Sequence, residues 1–282
     1  MMPSGRAPVP TYLWLLAFAS AFALAAAPMF VVEQLPFVDY PNHLARYFIF
    51  YNLERLPDLS RFYQLRDGIY TYWGMRLVVG ALQPLTGVET AARVFAVIAT
   101  LAPAAGTCLV GRALSGRATL LPLVALPFVY NELASWGFQN YLFSSGVAMM
   151  AFALWIGAGG WRTSVRITLF AATTLGIAFL HLMAAGVFVL LAGTWQLAEY
   201  LSDRRPATLR KTLRAGLELG VVSSPALLLT LALGGYHSGL DDGVVFLDLS
   251  QLVLTALSPL WMGSSIPDLV LGCLITLSVL AA

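Results

Sequence analysis

An acid, a histidine and an arginine stand close together in the segment FVDYPNHLAR, which directly follows the first long apolar run of the chain. Asp39, His43 and Arg46 are four and three residues apart, so a helix that begins near Pro41 places them on one face. Ionisable residues gathered in this way are hard to explain in so apolar a chain, which makes these three candidates for a functional site. The structural alternative is that Asp39 only caps the helix, while His43 and Arg46 are solvated anchors at a membrane surface.

Three further candidates stand in short joints between apolar runs. His181 occurs in FLHLMA, a joint so short that its ring lies at the membrane surface or points into the helix bundle, where ionisable groups are often functional. Glu132 and Asn140 belong to the hairpin segment ELASWGFQNYLF. The structural alternatives are a hydrogen-bonded core histidine and a belt of aromatic residues at the membrane interface.

Two adjacent acids form the last candidate. Asp241 and Asp242, with His237 nearby, could bind a divalent cation or sugar hydroxyls. Because glycines flank this pair, a simple turn is the alternative. No P-loop, dinucleotide-binding loop, zinc motif or nucleophile elbow occurs in the sequence, so soluble-cofactor chemistry is unsupported and a metal requirement stays open.

The composition is that of an integral membrane protein. Of the 282 residues, 59% are hydrophobic and 11% are charged, and the mean hydropathy is +0.78. Long apolar runs without alternating strands predict an all-α, polytopic bundle of transmembrane helices. A basic stripe for nucleic acid is absent. Cys108 and Cys273 lie inside apolar runs and are interpreted as small core residues.

About eight spans are predicted, and the first is interpreted as an uncleaved helix rather than a signal peptide because it is too long for one. The predicted spans are 12–32, Ala91–Val110, Leu120–Tyr130, Tyr141–Ala158, Ile167–Leu180, Met183–Leu201, Leu217–Leu233 and Leu269–Ala282.

The segment Ile69–Leu85 is amphiphilic, and the basic residues decide whether it crosses the membrane. If it does not cross, the arginine-rich joints all fall in the cytoplasm, and the joints after Tyr130, Leu180 and Leu233 carry no Lys or Arg. Residues 33–90 then form one long external loop with two interfacial helices, Pro41–Leu56 and Tyr70–Leu85. Both ends of the single domain, 1–282, are cytoplasmic, and the last apolar run is short enough to predict a fragment of a longer protein.

This arrangement resembles the polytopic glycosyltransferases of the GT-C fold. The resemblance rests on FVDYPNHLAR after the first span, on YTYWGMRLVVGALQPLTGVETAARVFAVIATLA, and on GRALSG at the end of the second span. It covers roughly the first 117 residues by motif and the remainder by topology. Relatives often carry two acids together in the first loop, whereas Asp39 is followed by Tyr40, which marks a divergent member.

The resemblance implies an enzyme that takes a sugar from a polyprenyl-phosphate donor and passes it, with inversion, to a lipid, glycan or protein hydroxyl. Asp39 would be the general base, and His43, Arg46 and His181 would lie on the phosphate side. The implied location is a bacterial inner membrane, with the active face in the periplasm and membrane lipids as partners.

Two other functions remain open from sequence. A transporter or lipid flippase would need polar groups at mid-membrane depth and broken helices. The spans contain Pro103, Pro122, Pro127 and Pro225 but almost no charge. A non-catalytic membrane subunit that positions a partner enzyme is the third hypothesis.

Overall fold

A computed structural model describes residues 10–65, 71–117, 119–202 and 209–233. Within these ranges every regular element is helical, which confirms the predicted all-α class for the described part of the chain. Asp241, Asp242 and the predicted span Leu269–Ala282 lie outside the described residues. The α-helices are α1 Thr11–Ala26, α2 Pro28–Val31, α3 Tyr40–Asn52, α4 Pro57–Ser60, α5 Trp73–Thr86, α6 Val88–Ser115, α7 Glu132–Trp136, α8 Gln139–Gly157, α9 Thr163–Leu180, α10 Leu182–Ser202 and α11 Leu209–Leu233.

Six helical segments in the described ranges are long and apolar enough to cross a membrane. This number supports a multi-pass membrane protein. The six segments are Tyr12–Val31, Val88–Ser115, Gln139–Gly160, Thr163–Leu180, Leu182–Ser202 and Leu213–Leu233.

The predicted span Leu120–Tyr130 differs from the expected α-helix. It contains a 3-10 helix, Leu121–Phe128, in which Pro122 and Pro127 lack the N–H groups that an α-helix needs. The segment runs beside α1: Trp14 Nε1 donates to the Thr119 carbonyl at 2.7 Å, and Tyr130 Oη donates to the Ala25 carbonyl at 2.5 Å. A 3-10 helix rises roughly 2 Å per residue instead of about 1.5 Å, so this short segment covers more depth than an α-helix of equal length.

Helices α6 and α8 form the closest helix pair of the bundle. The rings of Phe95 and Phe143 are 5.5 Å apart near the start of both helices, and Gly106 faces Gly146 and Met149 farther along both. The two helices therefore run in the same direction, and the chain between them returns from one end of the bundle to the other.

Replacing Gly146 with alanine should destabilise the bundle. A Cβ atom at this position would overlap both the carbonyl carbon and the Cβ of Ala102. Since backbone atoms cannot rotate away, α6 and α8 must separate, at a cost of about 1–3 kcal/mol. Thermal unfolding of the detergent-solubilised protein measures this loss.

Gly176→Ala in α9 is the matched control, because a Cβ at that position would meet nothing within 4 Å. This variant should gain about 0.5–1 kcal/mol from the better helix propensity of alanine. Opposite shifts of the two melting temperatures are expected, and equal shifts would contradict close packing between α6 and α8.

The two predicted loop helices are present as α3 and α5, and their position at a membrane interface stays a prediction. Both pack against the first half of α6, where Tyr40, Tyr47, Met75 and Val79 are buried in one apolar cluster. The guanidinium group of Arg93 in α6 fixes the start of the loop. It donates to the carbonyls of Met29 and Val32, at 2.8 and 2.7 Å, and to that of Glu33.

Candidate functional site

A cavity of about 320 Å³ opens at the end of the bundle where α3 and α8 begin and α9 ends. Five of the residues that the sequence predicted for a site line it, although they come from three separate parts of the chain. The lining residues are Asp39, His43, Arg46, Tyr72, Phe138, Gln139, Asn140, Tyr141 and His181.

Asp39 precedes α3 at the N-cap position, but its side chain accepts no capping hydrogen bond from the backbone. Its Oδ1 accepts a hydrogen bond from Asn42 Nδ2 at 2.9 Å, and its Oδ2 lies 3.2 Å from Nε2 of His43. The Asp39 side chain is 44% exposed. Asp39 therefore occupies the N-cap position without capping the helix through its side chain, and its carboxylate keeps oxygen lone pairs available to a molecule in the cavity.

The position of Asp39 is set by the short helix α7. Backbone N–H groups of Val38 and Asp39 donate to the carbonyls of Ser135 and Trp136, at 2.9 and 3.2 Å. Gly137 ends α7 with φ +89°, and a Cβ there would lie 2.9 Å from the Asp39 nitrogen. The loop before α3 thus rests against the backbone of a segment about 100 residues later, a contact that no sequence pattern indicates.

Burial affects the protonation of both histidines in the cavity. Burial lowers the pKa of His43 below its ordinary value of 6.5; the charge of Asp39 acts in the opposite direction and is the smaller influence. Burial also lowers the pKa of His181. Both imidazoles are therefore mainly neutral at pH 7, and His43 can donate Nε2–H to the Asp39 carboxylate.

These shifts predict that the protein loses stability in mild acid. Below pH 6.5 the unfolded chain binds protons at both histidines, whereas the folded chain binds them only at a lower pH. Stability is thus fully present above pH 6.5 and declines as the pH falls through the folded pKa values. Melting temperatures between pH 7.5 and pH 5 measure this decline. His181→Gln should flatten it, and an unchanged slope in that variant would contradict the assignment.

His181 is held between two aromatic rings. It separates α9 from α10 in an extended conformation, and its ring meets Tyr72 and Tyr141 edge-on at centroid distances of 4.9 and 5.2 Å. Tyr72 has φ +69°, and no other non-glycine residue in the described ranges has a positive φ. Such a conformation costs about 1–2 kcal/mol, and strained residues of this kind cluster at functional sites.

The other predicted residues have different environments. Asn140 is buried, and its Oδ1 accepts a hydrogen bond at 2.9 Å from the Met75 backbone N–H, which joins the start of α8 to the start of α5. Glu132 does not line the cavity, and its Oε1 accepts a bond from Trp136 Nε1 at 3.4 Å. Asp241 and Asp242 are outside the described residues.

Gln139 lines the cavity although it was not among the site residues predicted from the sequence. It is fully buried, and neither its Nε2 nor its Oε1 has a hydrogen-bond partner among the described residues. The buried Nδ1 of His181 also has none. An unpaired buried polar group costs about 1–3 kcal/mol. The available signal was a polar pair, Gln139 and Asn140, at the start of an apolar span.

A groove of about 450 Å³ lies next to the cavity and shares Arg46 and Tyr72 with it. Its lining is largely apolar. It contains Arg76, whose guanidinium carbon is 4.7 Å from the Phe50 ring centroid and 5.1 Å from that of Trp73. Two arginines therefore stand on an apolar surface beside the cavity.

Within the described ranges, no group of three or more His, Cys, Asp or Glu side chains is placed to hold a metal ion. Comparison of the chain with family models, curated proteins and solved structures gave no match.

Proposed function

We propose that this chain is a membrane glycosyltransferase of the GT-C type. It moves a sugar from a polyprenyl-phosphate donor to a hydroxyl group of a lipid, glycan or protein acceptor. One observation carries the proposal: Asp39, His43 and Arg46 from one short segment line a cavity together with His181, which is distant in sequence, at one end of a bundle of apolar helices.

Charge supports an external position for the cavity. Arg112 lies in the last turn of α6, at the opposite end of the bundle from the cavity. At that same end, Arg166 pairs with Glu218 at 2.5 Å, and Arg214 donates a hydrogen bond to Thr163. The positive-inside rule, which counts short loops, assigns that end to the cytoplasm. With the 3-10 segment counted as a crossing, the N-terminus is cytoplasmic and the cavity faces the periplasm of a bacterial inner membrane.

In the proposed reaction, the acceptor oxygen attacks the anomeric carbon from the face opposite the phosphate. A C–O bond forms to the acceptor, the C–O bond to phosphate breaks, and the bonding electrons leave with the phosphate. Asp39 takes the acceptor proton, and its neighbour His43 orients the carboxylate through Nε2. The single displacement inverts the anomeric configuration.

The adjoining groove supports a lipid-linked donor. Its apolar surface suits part of a prenyl chain, and the guanidinium groups of Arg46 and Arg76 suit a phosphate, which arginine binds through paired N–H groups. Arg46 lines both spaces, so it is the residue that can contact the phosphate while the sugar occupies the cavity.

The test is a transfer assay in membrane vesicles that contain the protein, with a panel of radiolabelled polyprenyl-phosphate hexoses and pentoses. Vesicles that contain Asp39→Asn are the paired sample. Label should move to an acceptor fraction in the first sample and not in the second. No transfer from any donor would contradict the proposed function.

A further inference from the structure

We infer that Gln139 and Nδ1 of His181 form a hydrogen-bonding subsite that binds adjacent hydroxyl groups of the sugar ring. This inference rests on the proposed function and adds the residues that recognise the sugar itself. Both residues line the cavity, and the Gln139 amide and His181 Nδ1 are buried without hydrogen-bond partners in the described part of the chain.

Gln139 is unusual among the polar residues of the cavity because it has no structural role that explains its burial. Asn140, its neighbour, is also buried but accepts a backbone N–H bond from Met75. Among the described residues the Gln139 amide has no hydrogen-bond partner, although it offers one acceptor and two donors. An apolar side chain of similar size would therefore be more stable in the free protein.

The chemistry of these two groups points to a neutral hydroxylated ligand. A hydroxyl group both donates and accepts, and two neighbouring hydroxyls can satisfy the carbonyl and amino ends of one amide together. His181 is kept neutral by burial, so its Nδ1 adds one further polar contact without a charge. The charged groups, Asp39 and Arg46, belong to α3 and the residue before it.

The aromatic residues beside these groups fit the same ligand. Tyr72 and Tyr141 flank His181, and Phe138 precedes Gln139 in the cavity lining. Cavities with apolar and aromatic walls and a few placed polar groups are typical of small-ligand sites, whose volumes begin at about 300 Å³. The cavity of about 320 Å³ therefore suits one sugar ring rather than a long oligosaccharide.

The test compares Gln139→Met with Gln196→Met. Methionine keeps the length of glutamine and removes its amide. Gln196 is a matched control because its Oε1 is also buried and unpartnered, but it lies among Arg166, Glu199 and Glu218 in a different cavity. Binding of methyl glucopyranoside, methyl mannopyranoside and methyl arabinofuranoside to the purified protein is measured by saturation-transfer difference NMR, with cyclohexanol as a ring that lacks adjacent hydroxyls.

Gln139→Met should weaken glycoside binding about tenfold or more. Its melting temperature should equal or exceed that of the wild type, and Gln196→Met should bind glycosides as the wild type does. The inference is overturned by unchanged binding in Gln139→Met, by a lowered melting temperature or failure to fold in that variant, or by a wild-type protein that binds no glycoside better than cyclohexanol.

Failure of the inference and failure of the proposed function give different results. If Asp39→Asn transfers sugar at the wild-type rate but Gln139→Met loses glycoside binding, only the catalytic proposal fails. If transfer depends on Asp39 but Gln139→Met binds normally, only the subsite fails.

Discussion

Gly137→Ala should destabilise the protein by about 2–5 kcal/mol and lower sugar transfer by roughly 10²-fold. Two costs combine at this position. The backbone has φ +89°, which disfavours any residue with a Cβ, and the added atom would lie 2.9 Å from the nitrogen and 3.0 Å from the Cβ of Asp39. Asp39 must therefore shift, and a displacement of about 1 Å is enough to lose most of a catalytic group's effect.

Gly116→Ala separates these two costs. Gly116 ends α6 with φ +67°, and a Cβ there would meet nothing within 4 Å. In this control the free energy of unfolding should fall only by the cost of a Cβ at positive φ, about 1–2 kcal/mol, and the transfer rate should not change. Thermal unfolding and the vesicle transfer assay are measured for both variants. Equal losses in the two would show that contact with Asp39 contributes nothing.

Asp39→Asn should abolish most of the transfer activity while it leaves the fold intact. Asparagine cannot accept the acceptor proton, and a positioned general base contributes about 10²–10⁴-fold to a rate. The fold should survive because the asparagine Oδ1 can still accept the hydrogen bond from Asn42. The contact with the neutral His43 imidazole is partly exposed, so its loss should cost little stability.

Asp58→Asn is the control for a general effect of charge in the same loop. Asp58 is 87% exposed, its one ion pair within the described ranges is with the exposed Arg61, and it does not line the cavity. The two variants change the net charge equally. A loss of transfer in both would point to the charge of the loop, whereas a loss confined to Asp39→Asn supports the catalytic role.

The sequence was sufficient for the parts of the site that local geometry controls. Asp39, His43 and Arg46 were predicted on one helix face because they are four and three residues apart, and all three line one cavity. His181 stands in a short joint between two apolar runs, as the sequence indicates. It lines the same cavity as the α3 residues because α9 ends at the end of the bundle where α3 begins.

The contacts that complete the site could not be predicted because they join distant parts of the chain. Val38 and Asp39 form backbone hydrogen bonds with α7. These bonds require the loop before α3 and the helix α7 to end at the same level of the bundle. No local propensity or hydropathy pattern carries that information. The unpartnered state of Gln139 likewise follows only from its burial against neighbouring elements.

The fold, like the candidate site, could be predicted from the sequence only in part. Long apolar runs predicted the helices that can cross a membrane, since burial of backbone polar groups requires internal hydrogen bonds there. Hydropathy does not distinguish an α-helix from a 3-10 helix, so Leu121–Phe128 was expected in the wrong conformation. Its two prolines were the available signal, and the structure shows their effect.

The ratio of initial transfer rates between wild-type and Asp39→Asn protein, in vesicles with equal amounts of each, tests the central claim most directly. Asp58→Asn is measured beside them to normalise for loop charge. We expect a ratio of about 10²–10⁴ for Asp39→Asn and close to one for Asp58→Asn. A ratio close to one for Asp39→Asn, with transfer clearly detected in the wild type, would contradict the assignment of Asp39 as the base.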